Sequence, residues 1–266
     1  NYILSNMEKD GNNFADVLLN AKKKGYAESN PTSDLNGTDS ASKIKILSSI
    51  AFNTNISKNK ILKEGIEKIN QVDLQHANTL GYKIKLLGIS EIINNQLLER
   101  VHPCLVLKNS YIANINGILN AVVIDAFPVG KTVLQGEGAG PGPTTSALIS
   151  DLCSILKGDT KLPFGVSYKK RKNISKFDPY KRLCSSYLRV EVKDLPGVLS
   201  SITKIFSKNK ISIKNLIQVP VKKNNKASIV IITHKNLESR YSKLLNNLCR
   251  NKYVVKKPVF IRVENI

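Results

Sequence analysis

An alternation of strand-like and helix-like segments in the C-terminal part of the chain constrains the fold more than any other feature. Residues 187–192 alternate apolar and polar side chains as a strand does, and residues 198–207 place apolar side chains at helical spacing after the turn at 194–197. Further strands are predicted at 211–219, 227–233 and 253–263, a polar hairpin at 222–226 and a second helix at 237–249. The order βαββαβ implies a four-stranded antiparallel, ferredoxin-like sheet with both helices on one face. We place this domain at residues 185–266.

The preceding part of the chain has helical patterns first and strand patterns later. Apolar spacing predicts helices between Tyr2 and Lys24, broken near Gly11 and stopped at Gly25. Further helices are predicted at 43–52, 60–69 and 69–77, and strands at 82–89, 97–107, 118–124 and 131–135. These patterns are typical of an α+β domain in which helices cover one face of a mixed sheet. We place this domain at residues 1–160.

Basic residues outnumber acidic ones, which makes nucleic-acid binding an alternative function. The chain holds 41 Lys+Arg and 20 Asp+Glu, a formal net charge of +21. The excess is almost entirely lysine spread along the whole length, as in a general compositional bias. Its densest run, YKKRK at 168–172, lies in a loop-like segment, 161–184, that we interpret as a solvated linker. We therefore expect no nucleic-acid partner.

Apolar runs and cysteines exclude two further classes of protein. No apolar run approaches the roughly 20 residues that a membrane-spanning helix needs, so we expect no membrane anchor. The cysteines form no Cys-x-x-Cys pair and are widely spaced, at Cys104, Cys153, Cys184 and Cys249. This spacing is typical of reduced thiols in a cytoplasmic protein, and we predict no metal site.

The segment 21–43, AKKKGYAESNPTSDLNGTDSASK, concentrates acidic, glycine and proline residues in a basic chain. Glycine permits backbone conformations that other residues avoid, and proline fixes φ, so the segment predicts a loop of defined shape. This loop would aim the carboxylates of Glu28, Asp34 and Asp39. We expect Asp39 to be the N-cap of the next helix, on which Lys43 is its neighbour one turn later. For any single Asp-x-x-x-Lys, an ordinary surface ion pair is the alternative.

The whole segment resembles the signature of homoserine dehydrogenases. That signature runs Ala, three residues, Gly, an aromatic, a small residue, Asn/Asp-Pro, two residues, Asp-Leu-x-Gly-x-Asp, three residues and Lys. The positions that fit it are Ala21, Gly25, Tyr26, Ala27, Asn30, Pro31, Asp34, Leu35, Gly37, Asp39 and Lys43. A match at this many fixed positions is far more specific than a lone glycine motif.

A second informative segment is 136–151, GEGAGPGPTTSALISD. Its glycines and prolines argue against regular structure, and they lead into a helix whose first turn we expect at residues 144–146. Such a loop exposes backbone N–H groups that suit a phosphate or carboxamide, although a tight connector is the alternative. It resembles the Gly-x-Gly-Ala-Gly-x-x-Pro-Thr-Ala-Ser-Ala segment that closes over the nicotinamide cofactor in homoserine dehydrogenases, with Thr145 in place of the usual Ala. The implied cofactor-binding residues are Gly138, Gly140 and Thr144.

The turn at residues 194–199, DLPGVL, resembles that of ACT domains, which sense small molecules, usually amino acids. The free N–H groups of a helix start suit a carboxylate, and a nearby Asp suits an ammonium group. Homoserine dehydrogenases with such an extension are commonly inhibited by threonine, which implies threonine as an effector. A helix entry without any ligand is an equal alternative. The implied regulatory residues are Asp194, Pro196, Gly197, Val198 and Leu199.

The resemblance implies the reversible reduction of L-aspartate 4-semialdehyde to L-homoserine with NADP(H) or NAD(H), in threonine, methionine and isoleucine biosynthesis. A lysine ammonium is a suitable proton donor to the alkoxide that hydride transfer creates, and the resemblance assigns this role to Lys43. Asp39 would orient Lys43 or relay protons through water. The implied substrate-binding residues are Glu28, Tyr26, Gly25 and Asp34. Glu28 would hold the substrate ammonium, and Asp34 would also support the loop.

The first residues, Asn1-Tyr2-Ile3-Leu4, match the Gly-Thr-x-Asn-Tyr-Ile-Leu segment that follows the nucleotide-binding domain in the resembled family. No Gly-x-Gly-x-x-Gly turn follows a strand in this chain. We therefore expect a piece of a longer enzyme, inactive on its own, that forms a homodimer or higher homo-oligomer as the family does. A non-catalytic, amino-acid-sensing ACT regulatory protein is the alternative.

Overall fold

The computed structural model describes residues 1–58, 60–138, 140–159, 162, 164–221 and 225–266. This part of the chain divides into two compact units, which we call unit 1 (Asn1–Lys176 with Ile266) and unit 2 (Phe177–Asn265). The division falls inside the segment 161–184. No helix in the described ranges is both long and apolar enough to cross a membrane.

Unit 1 begins with helices whose ends follow from the local sequence. Gly11 is left-handed (φ 69°) and donates its N–H to Met7, which ends the first helix where the sequence predicts a break. The side chain of Asn13 accepts the N–H of Asp16 and caps the second helix. The helices of unit 1 are α1 (Tyr2–Asp10), α2 (Phe14–Lys23), α3 (Thr32–Leu35), α4 (Thr38–Phe52), α5 (Gln71–Thr79) and α6 (Pro141–Leu156).

The strands of unit 1 are β1 (Leu62–Lys63), β2 (Tyr82–Ile93), β3 (Gln96–Leu107), β4 (Leu119–Ala126) and β5 (Gly130–Glu137). β1 runs parallel to β3 and β2 runs antiparallel to it, which confirms the predicted mixed sheet. Asn94 and Asn95 join β2 to β3, both with positive φ, as the favoured two-residue hairpin turn requires. β4 and β5 form a separate antiparallel hairpin. The strands expected in this region correspond to β2, β3, β4 and β5.

The helix predicted at 60–69 is wrong. The segment contains β1 and a loop, because its backbone donors bond to other segments of unit 1. The N–H of Glu64 bonds to the carbonyl of Val101 at 2.8 Å, and the N–H of Ile66 bonds to that of Leu35 at 2.9 Å. The helix-like spacing arises because Ile66 and Ile69 are both buried on either side of a turn.

The elements of unit 2 are β6 (Leu183–Lys193), α7 (Val198–Lys208), β7 (Ile213–Val221), β8 (Lys226–Thr233), β9 (Asn236–Leu237), α8 (Glu238–Cys249) and β10 (Val259–Glu264). Apart from β9, they follow the predicted order. Within the unit the sheet order is β10-β6-β8-β7 and every pair is antiparallel, which confirms the predicted ferredoxin-like sheet. The short β9, which pairs with the start of β6, was not expected. The polar hairpin predicted at 222–226 falls partly outside the described residues.

The core of unit 2 lies between one face of this sheet and the two helices. Alternate residues of β6 and β8 are buried there, which fixes the register of both strands. Ile202 and Phe206 of α7 and Leu244 and Leu248 of α8 pack into the same cluster. Both helices therefore cover the same face, as the sequence pattern predicts.

Gly65 is the residue whose replacement tests the packing of unit 1 most sharply. A Cβ at this position would overlap the carbonyl oxygen of Leu35, which is backbone and cannot rotate away. We expect Gly65→Ala to lower the free energy of unfolding of unit 1 by about 1–3 kcal/mol, measured by urea denaturation.

Gly136 provides the matched control, because it lies in β5 and a Cβ there would meet nothing within 4 Å. Gly136→Ala should be neutral or stabilise by up to about 1 kcal/mol. Equal stability of the wild type and Gly65→Ala would show that this contact does not hold the unit together.

Candidate functional site

An open cleft of about 540 Å³ in unit 1 collects most of the residues singled out from the sequence. We call it the acidic cleft. Its volume lies within the range of small-molecule sites. The predicted residues that line it are Tyr26, Glu28, Asp34, Asp39, Lys43 and Gly138. Among the described lining residues, Gly25, Gly140 and Thr144 do not occur.

Gly25 shapes the entry to the acidic loop instead of lining the cleft. It adopts φ 72° and donates its N–H to Lys22, while the N–H of Tyr26 bonds to Ala21 at 3.0 Å. This left-handed ending of α2 reverses the chain. The ring of Tyr26 then packs against Tyr2, with ring centroids 5.2 Å apart. Gly25 therefore positions Tyr26 at the cleft.

Two close backbone contacts fix the loop between α2 and α4 against the sheet. The carbonyl of Leu35 lies so close to Gly65 that only glycine fits there, and it also accepts the N–H of Ile66. Gly37 adopts φ 80°, and a Cβ there would lie 3.2 Å from Cγ1 of Val101 on β3. These contacts set the backbone immediately after Asp34 and shortly before Asp39.

Asp39 is not the N-cap of α4, contrary to the sequence prediction. The cap is Gly37 in a left-handed conformation, so that Asp39 lies within the first helical turn. Its carboxylate does not cap the helix and forms an ion pair with the ammonium of Lys43 at 2.7 Å. The two side chains are 38% and 64% exposed, and such a pair stabilises a helix by only about 0.3–0.5 kcal/mol. The pair therefore adds little to the stability of the helix, and it lies at the cleft.

Glu28 and Asp34 present carboxylates at the same cleft. Both side chains are exposed, and neither makes a hydrogen bond or ion pair with any residue that the structure describes. The chain around them is fixed by polar turns, since the Asn30 side chain accepts both the N–H and the hydroxyl of Thr32. The acidic cleft thus offers two carboxylates to a cationic group of a ligand.

Lys85 is a cleft residue that sequence reasoning missed. It lies on β2, is only 5% exposed, and lines the acidic cleft. Its ammonium donates to the carbonyl of Ile115, to Oδ1 of Asn116 at 3.0 Å and to Oδ1 of Asn1 at 3.3 Å. Burial, helped by the neighbouring charge of Lys83, lowers the pKa of Lys85 to about 8, against the opposing influence of Glu8. Its signal in the sequence is a lysine between apolar residues of a predicted strand.

Lys85 connects three segments that line the cleft. Its three N–H donors are matched by three oxygen acceptors, so none remains for a ligand. Asn1 continues the network by donating its amide to the carbonyl of Leu119 at the start of β4, at 2.8 Å. Lys85 therefore holds the start of α1 and the chain before β4 in fixed positions and leaves a positive charge beneath the cleft.

The glycine-rich segment is more regular than the sequence suggests. Gly136 lies in β5, and α6 begins at Pro141, earlier than the predicted turn at 144–146. Proline has no N–H and suits the first turn of a helix, which explains the earlier start. Pro141 and Pro143 also remove two donors, and the Thr144 hydroxyl bonds to the Gly140 carbonyl of its own turn. Few amides thus remain for an anion at this helix start.

Gly138 is the part of this segment that reaches the acidic cleft. Its N–H bonds to the carbonyl of Ile118 at 3.3 Å. A Cβ at Gly138 would overlap the side chain of Asn120, which would have to move to make room for it. Gly140, with φ 111°, turns the chain into α6.

The predicted regulatory turn of unit 2 surrounds the start of α7. Gly197 is left-handed (φ 84°) and caps the helix, and Val198 points into the core. Asp194 is exposed, and its carboxylate accepts the side-chain N–H of Gln218 at 3.3 Å. Pro196 and Leu199 are also exposed, so Asp194, Pro196 and Leu199 are accessible to a ligand while Val198 is structural.

Comparisons with known families match both units. The family model described as homoserine dehydrogenase matches residues 1–153, and the model described as ACT domain matches residues 186–251. A homoserine dehydrogenase of Neisseria gonorrhoeae is 37% identical over 100% of this chain and 62% of its own length. One of Bacillus subtilis is 34% identical over 99% of this chain and 61% of its own length. The chain therefore spans about three fifths of the length of these relatives.

Among solved structures, this chain is also similar to homoserine dehydrogenases. The crystal structure of a homoserine dehydrogenase from Thiobacillus denitrificans superposes with a TM-score of 0.88 at 35% identity, covering 100% of this chain and 62% of that one. A homoserine dehydrogenase from S. aureus superposes with a TM-score of 0.72 at 30% identity, covering 100% of this chain and 63% of that one.

The lowered pKa of Lys85 predicts a pH dependence of stability. Between about pH 8 and pH 10.5 the folded protein has released this proton while the unfolded chain still binds it. The free energy of unfolding of unit 1 should therefore rise with pH in this window, by up to about 3 kcal/mol from this group. Urea denaturation at several pH values measures the rise.

Lys85→Met should lose this contribution, whereas Lys68→Met, an exposed control in the same unit, should keep it. The same pH dependence in the wild type and in Lys85→Met would contradict the assignment.

Proposed function

Because the chain belongs to the homoserine dehydrogenase family, we propose that it forms the substrate-binding part of an enzyme that reversibly reduces L-aspartate 4-semialdehyde to L-homoserine. The reaction would use NADPH or NADH and serve threonine, methionine and isoleucine biosynthesis. The observation that carries the proposal is the Asp39–Lys43 pair at 2.7 Å in a cleft that also presents Glu28 and Asp34. Since the relatives are longer than this chain, the activity is proposed for a protein of their length.

Lys43 is the proposed proton donor. Conversion of an aldehyde to an alcohol adds hydride to the carbonyl carbon and leaves a negative charge on the oxygen. The Lys43 ammonium can stabilise this charge and then transfer a proton to the oxygen, which completes the alcohol. Asp39, 2.7 Å away, holds the ammonium at the cleft. In the reverse direction neutral Lys43 accepts the hydroxyl proton.

Glu28 is the proposed anchor for the substrate ammonium. Both the aldehyde and the alcohol carry an α-ammonium group, which requires a carboxylate partner in a cleft. Glu28 lines the cleft and has no partner among the described residues, unlike Asp39, which is already paired. Tyr26 forms the adjoining wall. Asp34 adds a second negative charge that favours an ammonium at this end of the cleft.

The nicotinamide cofactor, when bound, supplies or accepts the hydride. Gly138 fits the role of a contact to it, because this residue borders the acidic cleft without a side chain. The prolines at the start of α6 leave few amides for phosphate, so we assign Gly138, Gly140 and Thr144 to the nicotinamide end only. A Gly-x-Gly-x-x-Gly turn for the phosphates is absent from the sequence of this chain.

Unit 2 is the proposed regulatory part. The match to the ACT domain and the exposed Asp194 at the start of α7 support the binding of an amino acid, with its ammonium on Asp194 and its carboxylate at the helix start. Leu199 and Ser200 supply N–H groups there. Threonine is the proposed effector.

A homodimer is the proposed assembly of unit 1. The hairpin of β4 and β5 exposes Ile124, Phe127, Val129 and Leu134, which is more apolar surface than a solvated hairpin needs. A second copy of the same chain would cover it, since most soluble oligomers are homo-oligomers.

Replacing Lys43 tests the catalytic role. In a protein of the relatives' length, Lys43→Ala should lower kcat about 10²- to 10⁴-fold, the usual contribution of a general acid or base, with a smaller effect on KM. Cofactor oxidation in the presence of the aldehyde measures it. Lys45→Ala is the matched control, because Lys45 is on the same helix but does not line the cleft. Similar kcat for the wild type and Lys43→Ala would refute the role.

Titrating threonine into the full chain by calorimetry tests the regulatory role. We expect saturable heat with the wild type and at least about tenfold weaker binding with Asp194→Asn, which keeps the hydrogen bond from Gln218 but removes the charge. L-Valine, of the same shape but without the hydroxyl, serves as the ligand control. Absence of heat and of a thermal shift with threonine would refute direct binding.

A further inference from the structure

A second cleft in unit 1, of about 330 Å³, has no lining residue in common with the acidic cleft. It lies beside the chain that leaves α4, at the edge of β3 where Leu97 and Glu99 are found. Its walls are held by backbone bonds, from Asn55 to the carbonyl of Lys172 at 3.2 Å and from Lys172 to that of Asn53 at 2.8 Å. The second cleft is therefore a built feature of unit 1.

Three buried side-chain oxygens of this cleft have no hydrogen-bond partner in the part of the chain that the structure describes. Glu99 is only 4% exposed, and its Oε1 makes no hydrogen bond within the described part of the chain. Thr54 is 2% exposed, and its Oγ1 is likewise without a partner there. Asn55 adds a buried Oδ1 that also has no hydrogen-bond partner among the described residues. A buried polar oxygen without a partner is unfavourable, and native proteins normally give such atoms a partner.

The chemistry of these atoms defines one end of a ligand. Glu99, Thr54 and Asn55 all offer oxygen, and the carboxylate carries the single negative charge among them. Such a set accepts hydrogen bonds from a primary ammonium, whose three N–H donors match three oxygens. A divalent metal ion is disfavoured, because its sites usually supply several carboxylates.

The other lining residues supply the opposite charge. Lys58, Lys172 and Lys176 also line the cleft, so that its positive charges outnumber its one carboxylate. A simple cation would be attracted by Glu99 but repelled by the lysines. A simple anion would be attracted by the lysines but repelled by Glu99. A molecule with both charges satisfies both ends. The volume of about 330 Å³ is also far larger than a single ion needs and lies at the lower limit of small-molecule sites.

We propose that the second cleft binds an α-amino acid, with its ammonium on Glu99 and Thr54 and its carboxylate facing the lysines. The site is separate from the acidic cleft and from the turn of unit 2, and it does not depend on the proposed reaction. It gives unit 1 an amino-acid site of its own.

Saturation-transfer NMR on the full chain tests the proposal, with the common L-amino acids as probes. Methylammonium and acetate form separate arms, each of which carries only one of the two charges. We expect one or a few amino acids to bind, with affinity that falls about 10- to 100-fold in Glu99→Gln, since a charge-assisted hydrogen bond is lost. Glu28→Gln in the acidic cleft and Asp194→Asn in unit 2 are the matched controls and should keep this affinity.

The melting temperature gives a second readout. Without ligand, Glu99→Gln should be at least as stable as the wild type, because it removes an unpaired buried charge. With ligand at about a hundred times Kd, the wild type should gain about 5 °C and Glu99→Gln should gain less.

Four results would overturn the proposal. The first is that no amino acid binds at millimolar concentration, and the second is that methylammonium alone binds equally well. The third is an affinity that is lost in Glu28→Gln or Asp194→Asn but kept in Glu99→Gln. The fourth is a ligand-free Glu99→Gln that melts below the wild type. The last result would mean that Glu99 has a partner within the protein.

Discussion

The contact between the Leu35 carbonyl and Gly65 is the constraint on which the acidic cleft depends. It brings two backbones together more closely than any side chain permits, and the hydrogen bond from Ile66 to the same carbonyl fixes their register. Asp34 and Asp39 lie on either side of this contact, so their positions are set by backbone rather than by side-chain packing. A site that must aim carboxylates is better built in this way, because packed backbone has few alternative arrangements.

Two lysines of the cleft illustrate how burial divides roles between identical side chains. Lys43 is mostly exposed and has one carboxylate partner, so its ammonium can reorient and meet a substrate. Lys85 is buried, with three neutral oxygens around it, and its pKa falls to about 8. The first is suited to proton transfer and the second to holding the walls of the cleft.

Much of this arrangement could be predicted from the sequence, because local signals and tertiary structure agree. Period-two patterns located β2, β3, β6 and β8, and the signature segment identified Tyr26, Glu28, Asp34, Asp39 and Lys43 as residues of one cleft. The errors arose where tertiary contacts override local preference. Asp39 is a good N-cap in isolation, yet the approach of Gly37 to Val101 moves the cap to Gly37. Lys85 and Glu99 escaped notice because a charged residue within an apolar strand pattern is also what a half-exposed strand shows, so the sequence does not tell whether it is buried.

The central claim is that Lys43 transfers a proton in the acidic cleft, and chemical rescue of Lys43→Ala tests it most directly. In a protein of the relatives' length, small primary amines added to this variant should restore turnover in a saturable manner, with a rate that depends on the pKa of the amine. The same amines should leave the turnover of Lys45→Ala unchanged, because this control variant is expected to be as active as the wild type. If no amine restores the activity of Lys43→Ala, or if the rescued rate is independent of amine pKa, Lys43 is not the proton donor.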